Sequence, residues 1–205
     1  IVSDSFRLAT SVRTINITGD LVVNGGKFDL SGANVVGTVN LTGDFYLTAG
    51  SITETSGGSG LIVFNKSNGV QNYIFTGGSV SGVINFTVSN TTTLQMDSEG
   101  YLEGGGTCTL SAGATLGVTS ADGISTSGAT GNVRTAGRVF LAGSNLIYNG
   151  NVDQVAGSGL ANTTKANVTI NNPGNTVTLS GNTTISAGLT VTAGSTLDLT
   201  SYTFS

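Results

Sequence analysis

Four stretches of this chain repeat one pattern: "LVVNGGKFDL" at 21–30, "FYLTAGSITET" at 45–55, "YIFTGGSVSG" at 73–82 and "LTVTAGSTLDL" at 189–199. In each, apolar residues stand two apart, a short Gly step follows, and alternation resumes. Alternation of period two marks a strand with one buried face. Aligned on the Gly of the step (Gly26, Gly50, Gly78, Gly113 and Gly194), the position three before holds Val23, Leu47, Phe75, Leu110 and Val191. The position five before holds Leu21, Phe45, Tyr73, Cys108 and Leu189. After the step, Phe28, Ile52 and Val80 stand two residues on, whereas Leu116 and Leu197 stand three on. A shift of one residue turns every side chain to the other face, so this difference implies two kinds of corner.

The spacing selects among β architectures. Gly19 and Gly43 are 24 residues apart in matching "TGD" lead-ins, and Gly50 and Gly78 are 28 apart. Such spacings suit one coil of a solenoid. A sandwich of hairpin-linked antiparallel strands would not repeat in this way. The expected fold is all-β: a single continuous parallel β-solenoid over residues 1–205, right-handed, of about eight turns. Gly at the corners supplies positive φ or close backbone approach.

Composition agrees. The chain of 205 residues has 32 Gly, 1 Pro, no His and only 9% charged residues, with 38% hydrophobic. β-Branched residues are abundant and suit a pleated surface. The net charge of −4 and the scattered Lys and Arg argue against nucleic acid, which needs a basic footprint. No apolar run approaches a membrane span, and no signal peptide is visible. Ile1 and Ser205 fall in strand-like sequence, as in a mature product or an excised piece.

The stretch 121–199 carries a more specific pattern in "DGI…GNVRT", "NLIYNG…Q…GSGL", "ANVTINN" and "TVTLSGNTTI…LTVT". It resembles repeat segments of very large secreted proteins of Bacteroidetes-type bacteria, and 121–205 is the part where the likeness is clearest. In those proteins such segments precede a C-terminal sorting domain for type IX secretion and form adhesin-like or stalk-like extracellular regions. The resemblance implies an extracellular, cell-surface location. It carries no catalytic motif, and the sorting domain is missing here.

The residues offer little chemistry. Without His, Ser–His–Asp and Cys–His arrangements and His-ligated metals are excluded. Asp20 and Asp44 recur at one repeat position and read as turn caps rather than a carboxylate pair. "MDSEGYLEGGG" at 96–106, with Asp97, Glu99 and Glu103, reads as a solvated loop rather than a calcium site. A polysaccharide lyase would need basic residues such as Arg134 and Arg138 in a cleft; both sit in the repeat pattern. Tyr46, Tyr73 and Tyr101 are about one coil apart, but alternation turns Tyr46 outward and Tyr73 inward, so they form no clean sugar platform. Cys108 reads as a small buried hydrophobe.

Threonine pairs at 107–109, 176–178 and 190–192 raise ice binding, although they are not evenly periodic. Sequons at Asn16, Asn40 and Asn85 are expected by chance in so Asn- and Thr-rich a chain. The sequence therefore predicts no enzyme, no catalytic, cofactor-binding or metal-binding residues and no cofactor. It predicts a structural extracellular β-solenoid: a stalk, adhesin or fibre segment on a bacterial surface. The expected partners are further repeats or other copies stacked end to end, with surface glycans as another candidate. A carbohydrate-binding module on the same scaffold is the alternative; a β-helix lyase or an ice-binding protein stands behind it.

Overall fold

The computed structural model describes residues 1–8, 11–161 and 163–205. Among the described residues there are strands and turns but no helix, and the parallel sheets stack as a β-solenoid of about eight turns. The long sheet runs along the axis through Phe6–Arg7, Leu21–Asp29, Phe45–Thr53, Val70–Phe75, Thr93–Met96, Thr115–Val118, Asn145–Tyr148, Lys165–Ile170 and Ile185–Val191, with Ser79–Val80 beside Phe45–Thr53. A second sheet stacks Arg13–Ile17, Val36–Leu41, Ser59–Phe64, Ile84–Val88, Thr107–Leu110 and Gly137–Phe140. A third begins where the second ends, with Gln154–Val155, Thr176–Thr178 and Thr196–Asp198.

The register follows the sequence alignment through the first three copies. Leu21 pairs with Phe45 and Phe45 with Tyr73; Val23 pairs with Leu47 and Leu47 with Phe75. Beyond the Gly step, Phe28 pairs with Ile52 and Ile52 with Val80. All of these side chains are buried. The two corner types are also present. Gly26 and Gly50 lie within continuous strands, whereas Gly113 and Gly194 lie in tight turns between strands.

The fourth copy departs from the alignment. Tyr73 pairs with Met96, not with Cys108. Cys108 lies in the second sheet, between Phe86 and Arg138. The tight turn that contains Gly113 leads from the second sheet into the long one, while that of Gly194 leads from the long sheet into the third. The same turn chemistry serves two different edges, because a tight turn between strands makes the same local demands wherever it falls.

The core is continuous from coil to coil, as expected when repeats bury their apolar faces only against neighbours. One part of it is an aromatic ladder. Phe45 stacks on Tyr73 and Phe64 on Phe86, with centroids 4.7 and 6.4 Å apart. Phe64 meets both Phe45 and Tyr73 edge-on at 6.1 Å. Stacked and edge-to-face pairs each add roughly 1 kcal/mol beyond the area they bury.

Candidate functional site

The acidic residues are tied to the backbone of neighbouring coils. Asp20 and Asp44 do stack, but not as a bare carboxylate pair. Asp20 Oδ1 accepts the backbone N–H of Asp44 at 2.8 Å. Asp44 in turn accepts the backbone N–H and the side-chain amide of Asn72, both at 2.9 Å. Lys66 Nζ stands 3.8 Å from Asp44. Each carboxylate thus caps the coil above it.

The stretch 96–106 is not simply a solvated loop. Asp97 accepts the N–H of Phe75 at 3.0 Å, and Glu103 accepts that of Val80 at 2.9 Å. Both donors lie one coil earlier. Glu99 alone stays exposed. Burial raises the Asp97 carboxyl above its ordinary range, and the backbone N–H groups around it only partly offset this. No group of three or more Asp, Glu, Cys or His positioned to hold a metal occurs among the described residues.

The basic residues are spent in the same way. Arg134 lies over the Tyr101 ring, 3.7 Å from its centroid, and its Nε donates to the Gly131 carbonyl at 3.0 Å. Arg138 donates to the carbonyls of Thr135 and Thr126 at 2.8 and 2.9 Å. Neither forms an ion pair with a carboxylate among the described residues. Tyr101 packs against Phe75 at 4.5 Å, Tyr73 is fully buried, and Tyr46 faces outward. The three tyrosines therefore make no common platform. Cys108 is buried, as expected, and burial pushes its thiol up to about 12 despite the opposing charge of Arg138.

One cleft joins the loop at 122–130 to the third sheet. It has a volume of about 390 Å³ and is lined by hydroxyls of Ser125, Thr126, Ser127 and Thr130, with Asp122 and Val155 beside them. It contains no aromatic ring on which a sugar could stack.

Sequence reasoning placed Leu189 and Val191 in the inward columns of the last copy, and the structure puts both at one end of the stack. Val168 and Ile170 are completely buried, while their register partners on the last long-sheet strand, Leu189 and Val191, are each 44% exposed. At the other end Phe6, the partner of the buried Phe28, is 45% exposed. Among the described residues these inward side chains are uncovered, and Ile185–Val191 is paired on its outer edge only at its start, where the Ile185 N–H donates to the Ser205 carbonyl at 2.7 Å.

No helix is long and apolar enough to cross a membrane among the described residues. No protein-family model matches the chain, and neither the curated proteins nor the solved structures yield a match.

Proposed function

We propose that this chain is a structural segment of an extracellular bacterial surface protein, a β-solenoid stalk, adhesin or fibre piece that acts through its length and stiffness. The observation that carries the reading is the fold itself: parallel sheets stacked over about eight turns around one continuous apolar core. An exposed strand edge above an uncovered apolar column is a template for another coil, and solenoids commonly close their ends with polar caps. Here Leu189 and Val191 hold the positions that every earlier coil covers. The likeness of 121–199 to repeat segments of secreted surface proteins supports the location. The partners proposed with this reading are further repeats of the same polypeptide or other copies stacked end to end.

Two measurements test this. The polypeptide isolated from its natural source should have a mass well above 20.4 kDa, or the 205-residue chain should sediment as end-to-end oligomers that grow with concentration. In the second case Leu189→Asp with Val191→Asp should return it to the monomer. A native mass of 20.4 kDa together with a monomer at every concentration would overturn the reading.

A further inference from the structure

The second sheet presents an outer face unlike the rest of the molecule. Its strands pair without a register shift from Arg13–Ile17 to Gly137–Phe140. The long sheet, by contrast, is interrupted between Val23 and Lys27 and between Lys165 and Asn167. The outward positions therefore align in columns. The first five rungs read T-x-N-x-T at 14–18 and 38–42, L-x-V-x-N at 61–65, N-x-T-x-S at 85–89 and T-x-T-x-S at 107–111, and the sixth, at 137–141, turns to G-x-V-x-L. The third column is held in line by the continuing ladder, in which Thr42, Asn65, Ser89 and Ser111 donate to the preceding coil.

Thirteen of the fifteen outward residues in the first five rungs are Thr, Asn or Ser, and none is charged or aromatic. Rungs about 4.8 Å apart and alternate residues about 6.6 Å apart give a lattice of roughly 13 by 19 Å. Three of its asparagines are already held in place. Asn40 donates to Asn16 at 2.8 Å, and Asn85 accepts the N–H of Thr107 at 2.9 Å while donating to the Gly60 carbonyl at 3.2 Å. Threonine is stiff at χ1. Little side-chain entropy remains to be lost on binding a rigid surface.

We propose that this face binds ice, holding a layer of water on its rows of hydroxyls, amides and methyls. A regular array of short neutral groups can bridge to a water lattice through ordered waters. Charged side chains would orient water about themselves, and a sugar platform would need aromatic rings; the face has neither. The Thr pairs visible in the sequence do not by themselves make this array. Of the three, only 107–109 lies on it; 176–178 belongs to the third sheet and 190–192 to the long one. This inference does not depend on the stalk reading.

The test is inhibition of ice recrystallisation by the full chain, with Thr87→Lys at the centre of the face and Thr169→Lys on the outer face of the long sheet. The chain and Thr169→Lys should arrest grain growth at similar concentrations. Thr87→Lys should require about tenfold more, the loss expected on replacing a central contact. Unfolding midpoints check that each variant is folded, and Asn40→Lys replaces Thr87→Lys if the latter is not. Failure of the chain to inhibit at any concentration would overturn the proposal, as would equal inhibition by all variants. Binding to insoluble polysaccharide without effect on ice would do the same.

Discussion

The ring of Tyr73 lies flat on that of Phe45, centroids 4.7 Å apart and planes within 4° of parallel. The two residues are register partners one coil apart, so the stack is part of the repeat itself. The Tyr73 hydroxyl is buried and has no hydrogen-bond partner among the described residues. Tyr73→Phe should keep the stack and remove the orphaned hydroxyl, raising stability by about 1 kcal/mol in a denaturant titration. Tyr73→Ala should lose roughly 3–5 kcal/mol.

Asp29 is buried at the N-terminal end, bonded to Arg7 Nε at 2.7 Å and Thr55 Oγ1 at 2.6 Å. Burial pushes its carboxyl up, but the bonds from Thr55 and Arg7 outweigh this and hold it below its ordinary value. The folded state thus holds this proton less tightly than the unfolded chain. The resulting stability is present above the unfolded value, near 4, and is lost as pH falls through the lower folded one. Asp29→Asn should flatten the acid limb of a plot of unfolding midpoint against pH. An unchanged limb would show that Asp29 contributes nothing to it.

Lys165 behaves in the opposite sense. It is wholly buried, its Nζ donates to the Thr163 carbonyl at 3.1 Å, and the Phe140 ring lies 5.9 Å away. Burial lowers its ammonium to about 8. Between that value and about 10.4, the unfolded chain binds the proton and the folded one does not, so stability should rise with pH across this window. The charging penalty is fully present below 8. Lys165→Met should therefore be the more stable protein at neutral pH, by up to about 3 kcal/mol, and should lose the alkaline rise.

Two corner glycines separate backbone strain from crowding. Gly50 and Gly143 both have positive φ, 77° and 81°. A Cβ on Gly50 would meet the carbonyl oxygens of Gly25 and Gly26 at 2.5 Å, whereas one on Gly143 would meet only the Ala112 methyl at 3.8 Å. Gly143→Ala should cost about 1–2 kcal/mol, the left-handed penalty alone. Gly50→Ala should cost clearly more, because the coil beneath cannot yield. Equal losses in thermal unfolding would refute the distinction.

Asp44 links three coils through Asp20 and Asn72. Asp44→Ala should strand the Asn72 amide without its acceptor and cost about 1–3 kcal/mol. Glu99→Ala, at an exposed position, should leave the midpoint within about 0.5 kcal/mol.

The coiled architecture was legible because strand alternation and coil length both survive in the residues. The first three copies even gave the true register, since Leu21, Phe45 and Tyr73 share one wall and one corner type. The error at Cys108 has a clear origin. "TCTLSAGATL" and "LTVTAGSTLDL" match because a tight turn with a positive-φ Gly demands the same neighbours on any edge. Local sequence reports the corner, not the face that precedes it. Asp97 and Glu103 were misread for another reason: their partners, Phe75 and Val80, lie 22 and 23 residues upstream. Only a settled coil length points back to those donors. The outer lattice was missed because Thr14, Asn40 and Thr87 form no motif until the register sets their rungs in line.

Because every sheet pairing joins a coil to the one before or after it, the finished part of the molecule is a template for the next part. During synthesis the earlier coils leave the ribosome first. Each later segment then meets a completed edge with its apolar column open, and must close a loop of only about one coil. Assembly can thus proceed by accretion from the N-terminal end, without a rate-limiting search for a distant partner strand.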